Sequence, residues 1–449
     1  MRGQTQAPCS DSRLALHLTG VKYRFFPVAI FCSALLMFSA HAAKESASTL
    51  KDNRNNATRH NAARTAQTTP AAGRPVLRDG EAENRLIEVY RLIGSAEYRQ
   101  ALGKAENLAL TYPHFQLAQL VYGDLLAFHA GPKDRPGVMP DGIKATGNAD
   151  SGLFDLRAES AQRLKALRER PPANTVPSQF VGLSERNRHA IAVDASRSRL
   201  YLFENTPAGL KLVADYYMSV GKAGIEKSTE GDLRTPLGVY YITSLVDRKQ
   251  LKDFYGSGAL PINYPNPLDV SRGKTGSGIW LHGTPSGQFS RAPLASDGCM
   301  VLSNPDLERI MHTVEARSTP VVIAQQLKWV EPKMLRAEGQ AFEKSLEAWR
   351  LAKSGSYFDQ LLAFYTADFR NYAGSREDWA SALLAETQAR QGRATQLKDV
   401  SYLRWSDTAD TMVVTFGEVT EGKRTGPVKR QYWIRRGGDW KIFFEGVIG

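Results

Sequence analysis

The chain has 449 residues, of which 42% are hydrophobic, and carries a formal net charge of +12. This length exceeds what one compact core accommodates, and this apolar content excludes a chain that is disordered throughout, so we expect two or three domains. The positive charge favours contact with an acidic polymer or surface, although solubility explains it equally well. No basic run is interleaved with aromatic residues, so we predict no nucleic-acid partner.

The segment 1–42 is typical of a secretory signal peptide. Lys22 and Arg24 precede the apolar stretch FFPVAIFCSALLMFSA, which leads into AHA. This stretch is shorter than the roughly 20 residues that span a bilayer, so we predict cleavage, export to the periplasm or cell wall, and no stable membrane span. The segment 43–80 is polar and lacks an apolar period, which predicts a flexible linker.

The chain contains three cysteines, and removal of the signal peptide takes away Cys9 and Cys32. Cys299 would then be the only thiol that remains in the mature protein. In an oxidising compartment such a residue is either a small buried apolar group or a reactive group kept for chemistry, and its position alone leaves both readings open.

Three further regions follow the linker. Residues 81–175 show a helical period and predict a helical subdomain, with one stretch similar to a tetratricopeptide-type hairpin. Residues 185–328 alternate apolar and polar side chains between many glycines and prolines, which predicts a mostly-β sandwich. Residues 335–449 begin with amphipathic helices and end with alternating strands. The fold class is therefore predicted to be multidomain α+β.

The peptides IWLHGTP and SDGCMVLSN carry candidate chemistry, because a cysteine nucleophile needs a base in hydrogen-bond reach. His282 ends an apolar strand beside Gly283, where we expect it to face a cleft. The backbone N–H groups of Gly298 and Cys299 are candidate oxyanion donors. A lone histidine after a strand is more often structural, so the residues alone do not decide. The other histidines show no ligand spacing, and we predict neither a metal nor a cofactor.

Five peptides in order resemble the L,D-transpeptidase catalytic domain of the YkuD type. They are VDASRSRLYLFE, SVGKAGIEKSTEGDLRTPLGVY, INYPNPLD, IWLHGTP and SDGCMVLSN. The resemblance implies that Cys299 attacks a carbonyl of a peptidoglycan stem peptide, that His282 is its base, and that the carbonyl of Gly283 orients this base. It further implies a pocket for the oxyanion and substrate, shaped by Ser296, Asp297, Gly298 and Tyr264.

The sequence departs from the family pattern at two positions. Asp297 stands where the family usually has a second histidine, and Val301 stands where it usually has arginine. A carboxylate facing the thiol would oppose formation of the thiolate. We therefore expect Asp297 to point away from the thiol or to bind a substrate amine.

The C-terminal region resembles an NTF2-like fold, as indicated by GDWKIFFEGV after the strands. Together with the Ser-x-Gly-Cys variant, this pairing resembles cell-shape L,D-carboxypeptidases, which trim tetrapeptide stems. Transpeptidation, carboxypeptidase hydrolysis and a non-catalytic wall-binding module all stay open. We expect the C-terminal region to be an accessory domain that binds the cell wall through its basic strand pair. We also expect that a protein partner could bind the helical or the NTF2-like domain. The basic strand pair comprises Lys423, Arg424, Lys429, Arg430, Arg435 and Arg436.

Overall fold

The structure is a computed structural model that describes residues 80–130 and 147–448, apart from positions 356, 373 and 391. The predicted signal peptide and all of the predicted linker except Gly80 lie outside these residues. A helical region, a β-rich central region and a C-terminal region of helices and a sheet follow one another along the chain. This arrangement confirms the predicted multidomain α+β class. No helix within the described ranges is long and apolar enough to cross a membrane.

Helices occur in all three regions. They are α1 (Glu81–Gly94), α2 (Tyr98–Thr111), α3 (Gln116–Ala130), α4 (Gly147–Arg168), α5 (Pro267–Ser271), α6 (Asn304–Thr313), α7 (Pro332–Ser354), α8 (Phe358–Leu362) and α9 (Arg376–Ala389). Helix α6 begins at an Asn-Pro pair, and the Ser303 side chain accepts a hydrogen bond from the backbone N–H of Asp306 at its N-terminus.

Strands of the central region are β1 (Val176–Pro177), β2 (His189–Asp194), β3 (Arg199–Thr206), β4 (Gly209–Tyr217), β5 (Val220–Gly221), β6 (Gly238–Tyr241), β7 (Val246–Asp247), β8 (Gly258–Pro261), β9 (Trp280–His282), β10 (Leu294–Ser296), β11 (Met300–Val301), β12 (Pro320–Ala324) and β13 (Trp329–Val330). The C-terminal strands are β14 (Tyr365–Arg370), β15 (Thr395–Ser406), β16 (Asp410–Thr420), β17 (Val428–Arg436) and β18 (Asp439–Val447).

Two sheets enclose the core of the central region. One has the strand order β4-β3-β2-β12-β6, and the other has the order β11-β9-β8-β7. Ile191 and Val193 from the first sheet meet Leu281 and Met300 from the second in one buried apolar cluster. The second sheet carries the two peptides that the sequence singles out, so this core supports them from behind.

The C-terminal sheet has the order β14-β18-β17-β16-β15 and is covered on both faces. One face packs on Trp349 of α7 through residues such as Trp433. The other face places Tyr432 and Phe443 against Tyr201 and its neighbours on the larger central sheet. The larger central sheet is therefore a layer between the C-terminal region and the core that supports β9 and β11.

The helical region packs on the central region through an aromatic and an ionic contact. The ring of Phe289 stacks on Phe115 with the centroids 4.3 Å apart. Arg199 of β3 lies 2.7 Å from Glu83 of α1, and Arg163 of α4 lies 3.2 Å from the same carboxylate. All three charged side chains are buried, so the contact depends on their mutual pairing.

Candidate active site

The register of two adjacent strands brings Cys299 and His282 to one face of the small central sheet. Strands β9 and β11 are parallel, with Met300 opposite Leu281 and Val301 opposite His282. Met300 and Leu281 point into the core. Because side chains alternate along a strand, His282 and the residue before Met300 point to the opposite face. Cys299, directly before β11, is therefore a diagonal neighbour of His282, a spacing that a ring side chain such as histidine can span.

The hydrogen bond of His282 fixes its neutral tautomer. Its Nδ1 lies 2.7 Å from the carbonyl oxygen of Gly283, and because a carbonyl only accepts, Nδ1 carries the proton. The lone pair is then on Nε2. Burial lowers the pKa of His282 from 6.5 to about 4, outweighing the bond to Gly283, and the charge of Arg291 lowers it further. The imidazole is therefore neutral near pH 7, as a general base must be.

His282 is buried rather than open to a cleft, and this corrects the expectation from sequence. It is 1% exposed. The ring of Tyr255 meets it edge-on at a centroid distance of 5.1 Å, and the ring of Phe254 lies 5.8 Å away. These aromatic rings, which come from the loop before β8, exclude water from the imidazole. Nothing in the sequence of that loop signalled their position.

Gly283 is held by both of its peptide groups. Its N–H donates to the carbonyl of Tyr255 at 3.0 Å, and its own carbonyl receives the His282 proton. A Cβ at this position would collide with Oδ1 of Asn304, whose amide donates to the carbonyl of Thr284 at 2.9 Å. The structure thus gives the carbonyl of Gly283 the orienting contact that the resemblance implies.

Ser296 and Gly298 build the tight turn before Cys299. The Ser296 hydroxyl donates to the carbonyl of Cys299 at 2.6 Å and accepts from the N–H of Gly298 at 3.1 Å. Gly298 has φ of +122°, and a Cβ there would lie 2.7 Å from the carbonyl oxygen of Arg234, so only glycine fits. The prediction that the Gly298 N–H faces an oxyanion is wrong for this structure, because Ser296 already binds that N–H.

Asp297 points outward, which agrees with the expectation that its carboxylate does not face the thiol. Its side chain is 47% exposed, and its carboxylate lies 2.8 Å from the ammonium group of Lys222. Val301, at the position of the usual arginine, is buried opposite His282. Neither residue supplies a positive charge to the thiol.

Tyr264 does not line a substrate pocket, and this prediction is wrong. It is buried in the core beside Tyr240, and its hydroxyl donates to the carbonyl of Thr275 at 3.1 Å. The peptide after Thr275 leads to Gly278, whose carbonyl oxygen lies 3.5 Å from Sγ of Cys299. Tyr264 therefore supports the segment that contacts the thiol, without facing substrate.

Arg291 is a site residue that the sequence analysis missed. Its guanidinium carbon lies 4.8 Å from the centre of the Phe254 ring, on which His282 also packs. Burial lowers the pKa of Arg291, while the charges of Asp297 and Cys299 raise it, so the cation acts on the thiol. Arg291 lies in an irregular loop without a periodic pattern, and only the three-dimensional fold brings it to Cys299.

The basic strand pair of the C-terminal region is not a continuous free surface. Lys429 and Arg430 are buried, and Arg430 stacks on Tyr241 of the central region at 3.3 Å. Arg436 binds Asp368 at 2.9 Å. The expected grip on the wall through all six cations is therefore wrong, because part of the set is used for internal packing.

Comparison with known proteins gives a family for the central region. Residues 188–323 match the family model of the L,D-transpeptidase catalytic domain, YkuD. A search of curated proteins finds no match to the chain.

Among solved structures, Bd1075 of Bdellovibrio bacteriovorus matches with 23% identity and a TM-score of 0.52, over 61% of this chain and 98% of that one. The helical cell shape determining protein Pgp2 of Campylobacter jejuni matches with 22% identity and a TM-score of 0.49, over 60% of this chain and 95% of that one. The likeness to Bd1075 concerns the fold. The family match lies on the sheets that hold Cys299 and His282, and the chain therefore contains an L,D-transpeptidase catalytic domain over residues 188–323.

Proposed function

We propose that the protein is an exported cysteine enzyme that remodels peptidoglycan by acyl transfer from tetrapeptide stems, through a thioester on Cys299. The observation that carries the proposal is the placement of Cys299 and His282 on one sheet face, with the imidazole proton held on Nδ1 by Gly283. This tautomer leaves Nε2 as the acceptor for the thiol proton. Cysteine is nucleophilic as the thiolate, so the arrangement suits covalent catalysis.

The first half of the reaction cleaves the bond between the diamino acid of the stem and its terminal D-Ala. Nε2 of His282 takes the proton of Cys299, and Sγ attacks the peptide carbonyl to form a tetrahedral oxyanion. The oxyanion collapses, the C–N bond breaks, and His282 returns the proton to the leaving amine. The products are free D-Ala and a thioester between Cys299 and the tripeptide stem.

The second half depends on the acceptor of the acyl group. With an amine of another stem, His282 takes its proton, the amine attacks the thioester, and a cross-link forms. With water, the product is a tripeptide, as in an L,D-carboxypeptidase. The departures from the family motif at Asp297 and Val301 favour water as the acceptor of the acyl group, because they resemble the carboxypeptidase variant of the motif.

Products from a disaccharide tetrapeptide test this proposal. Mass spectrometry of the incubated mixture should detect tripeptide if water is the acceptor, or a dimer if an amine is. A Cys299→Ala variant of the full chain is the control and should yield neither. Absence of both products with folded wild-type protein would refute the enzymatic proposal and favour the non-catalytic wall-binding module.

Labelling of the thiol separates these two classes independently. Iodoacetamide or a carbapenem should modify Cys299 rapidly near neutral pH if His282 activates it. A cysteine that only packs in the core would react slowly, and His282→Asn would then leave its rate unchanged.

A further inference from the structure

The segment that bears Arg291 is anchored to the helical region and to β4. The Phe289 ring stacks on Phe115 of the helical region, and the Ser290 hydroxyl donates to Glu159 of α4 at 2.7 Å. The carbonyl of Arg291 itself accepts a hydrogen bond from the Tyr217 hydroxyl at 2.8 Å. These contacts fix the backbone, so the Arg291 side chain leaves a rigid base and extends over Phe254.

The carboxylate of Asp297 acts on the guanidinium of Arg291 at a distance, without a direct ion pair in the part of the chain that the structure describes. No hydrogen bond or ion pair from its nitrogen atoms occurs there, and its contact is the face of the Phe254 ring. The neighbouring cation, Lys222, is instead paired with Asp297. Arginine presents several N–H donors in a planar fork that matches a carboxylate, so an unpaired fork beside a nucleophile is a site for an anionic group.

The proposed reaction supplies such a group at a matching position. In a tetrapeptide stem, only the amide nitrogen and one Cα separate the terminal carboxylate from the carbonyl that Sγ attacks. Arg291 and His282 lie against the same Phe254 ring, at 4.8 and 5.8 Å from its centre, so the cation lies beside the base and in a position to meet this carboxylate. In a longer stem, the same position holds a neutral peptide group.

We propose that Arg291 binds the carboxylate of the leaving D-Ala and thereby selects stems that end one residue after the scissile bond. This inference rests on the proposed function for its substrate class. Arg291 is then a specificity-determining residue, which takes part in substrate binding without transferring a proton. It also provides a positive charge near the thiol in a domain where Val301 occupies the usual arginine position.

Binding measurements test the proposal without requiring catalysis. Full-length Cys299→Ala protein is titrated calorimetrically with a disaccharide tetrapeptide and with the same compound ending in D-alaninamide. We expect the free acid to bind more tightly than the amide. Adding Arg291→Gln should weaken binding of the acid about 10- to 100-fold, with little change for the amide. Arg291→Lys should retain part of the preference, because it keeps the charge and loses the fork.

The matched control is Arg188→Gln, which removes the same charge from an exposed side chain, 73% accessible, beside Glu315. It should leave both affinities unchanged. Thermal unfolding of each variant verifies that it is folded. Equal losses for acid and amide in Arg291→Gln, or no loss for either, would overturn the proposal. Failure of the Cys299→Ala protein to bind the acid would overturn it as well.

Kinetics with the Cys299-containing protein distinguish this proposal from the proposed function. If wild-type protein prefers the acid in an Arg291-dependent way but releases no D-Ala, the enzymatic proposal fails and the carboxylate site stands. If wild-type protein releases D-Ala and Arg291→Gln lowers kcat for acid and amide equally, while slowing iodoacetamide labelling, the cation acts on the thiolate and not on the carboxylate.

Discussion

The candidate active site and the C-terminal region differ in whether their charged side chains form ion pairs. In the C-terminal region, a cluster of Lys353, Lys429, Glu386, Glu418 and Glu445 lies between helices and sheet. Lys353 lies 2.5 Å from Glu418, and Lys429 lies 2.8 Å from the same carboxylate and 3.2 Å from Glu445. At the active site, Arg291 lies over an aromatic ring and makes no direct ion pair among the described residues, although the charge of Asp297 acts on it.

This difference separates a structural role from a binding role. Burial alone would raise the pKa of Glu418, but the two lysines lower it well below its usual range, so both signs of charge persist inside the C-terminal region. In a cluster whose charges neutralise one another, no charge is left to bind a ligand. Loss of one member leaves the other buried charges uncompensated. An unpaired cation costs stability in the free protein, and the anion that we propose to bind there would offset this cost.

The largest expected effect is on the chemistry of the site. His282→Asn should reduce the rate of acyl-enzyme formation about 10²- to 10⁴-fold, because the variant has no base for the Cys299 proton. Burst kinetics with a carbapenem, followed by mass spectrometry of the intact protein, measure this rate. Because His282 is packed against Tyr255, some loss of stability is expected too, and thermal unfolding must accompany the assay. A folded variant with near wild-type acylation would exclude His282 as the base.

Breaking the C-terminal cluster should affect stability and leave the chemistry intact. Lys429→Met leaves Glu445 and Glu418 with less compensation, and we expect a loss of about 3–5 kcal/mol in the free energy of unfolding. Urea denaturation measures it. Lys423→Met, which removes an exposed lysine near the start of β17, is the matched control and should change stability by less than about 0.5 kcal/mol. Loss of Cys299 labelling in folded Lys429→Met would contradict the separation of the two regions.

The buried imidazole should make stability depend on pH. The pKa of His282 is about 4 in the folded protein and 6.5 in the unfolded chain, so between these values the unfolded chain binds more protons. Stability should therefore rise with pH from 4 to 6.5, and the contribution of His282 amounts to about 3 kcal/mol when complete.

The measurement is the difference in unfolding free energy between wild type and His282→Asn across this range. A difference is needed because burial raises the pKa of Asp306 to about 6, which produces an opposite trend that both proteins share. A difference that does not change between pH 4 and 6.5 would mean that the imidazole is solvated and protonates normally.

The sequence predicted the parts of the site that depend on local chain geometry. The turn at Gly298, the carbonyl of Gly283 and the strand that ends at His282 are each set by neighbouring residues, and all are found in the structure. Phe254 and Tyr255 reach the site from a loop that is distant along the chain from Cys299, whereas Arg291 comes from an irregular loop shortly before it, and neither loop has a periodic pattern. Their arrival depends on how whole elements pack, which a local pattern does not encode.

The same limit explains two wrong predictions, one for the substrate pocket and one for the basic strand pair. Tyr264 belongs to a family peptide, but its ring faces the core, and a motif does not state which way a side chain points. Likewise, the sequence of the basic strand pair predicts a positively charged surface. In the structure, side chains alternate along β17, and Lys429 points inward to the buried carboxylate of Glu445. The NTF2-like assignment of residues 335–449 stays a prediction.

The smallest expected effect concerns Asp297, which pairs with Lys222 and whose charge also acts on Arg291. The pair with Lys222 is half exposed, so Asp297→Asn should change the unfolding free energy by less than about 1 kcal/mol. The variant also removes a negative charge that acts on Arg291. In the Cys299→Ala background, we therefore expect the tetrapeptide acid to bind about 2- to 3-fold more tightly, with the gain reduced at high salt.

The control is Asp359→Asn, which removes the same charge from an exposed aspartate in the C-terminal region and should bind the acid as tightly as the parent protein does. Weaker binding in Asp297→Asn would instead mean that this carboxylate contacts an amine of the substrate, the alternative that the sequence left open for this residue.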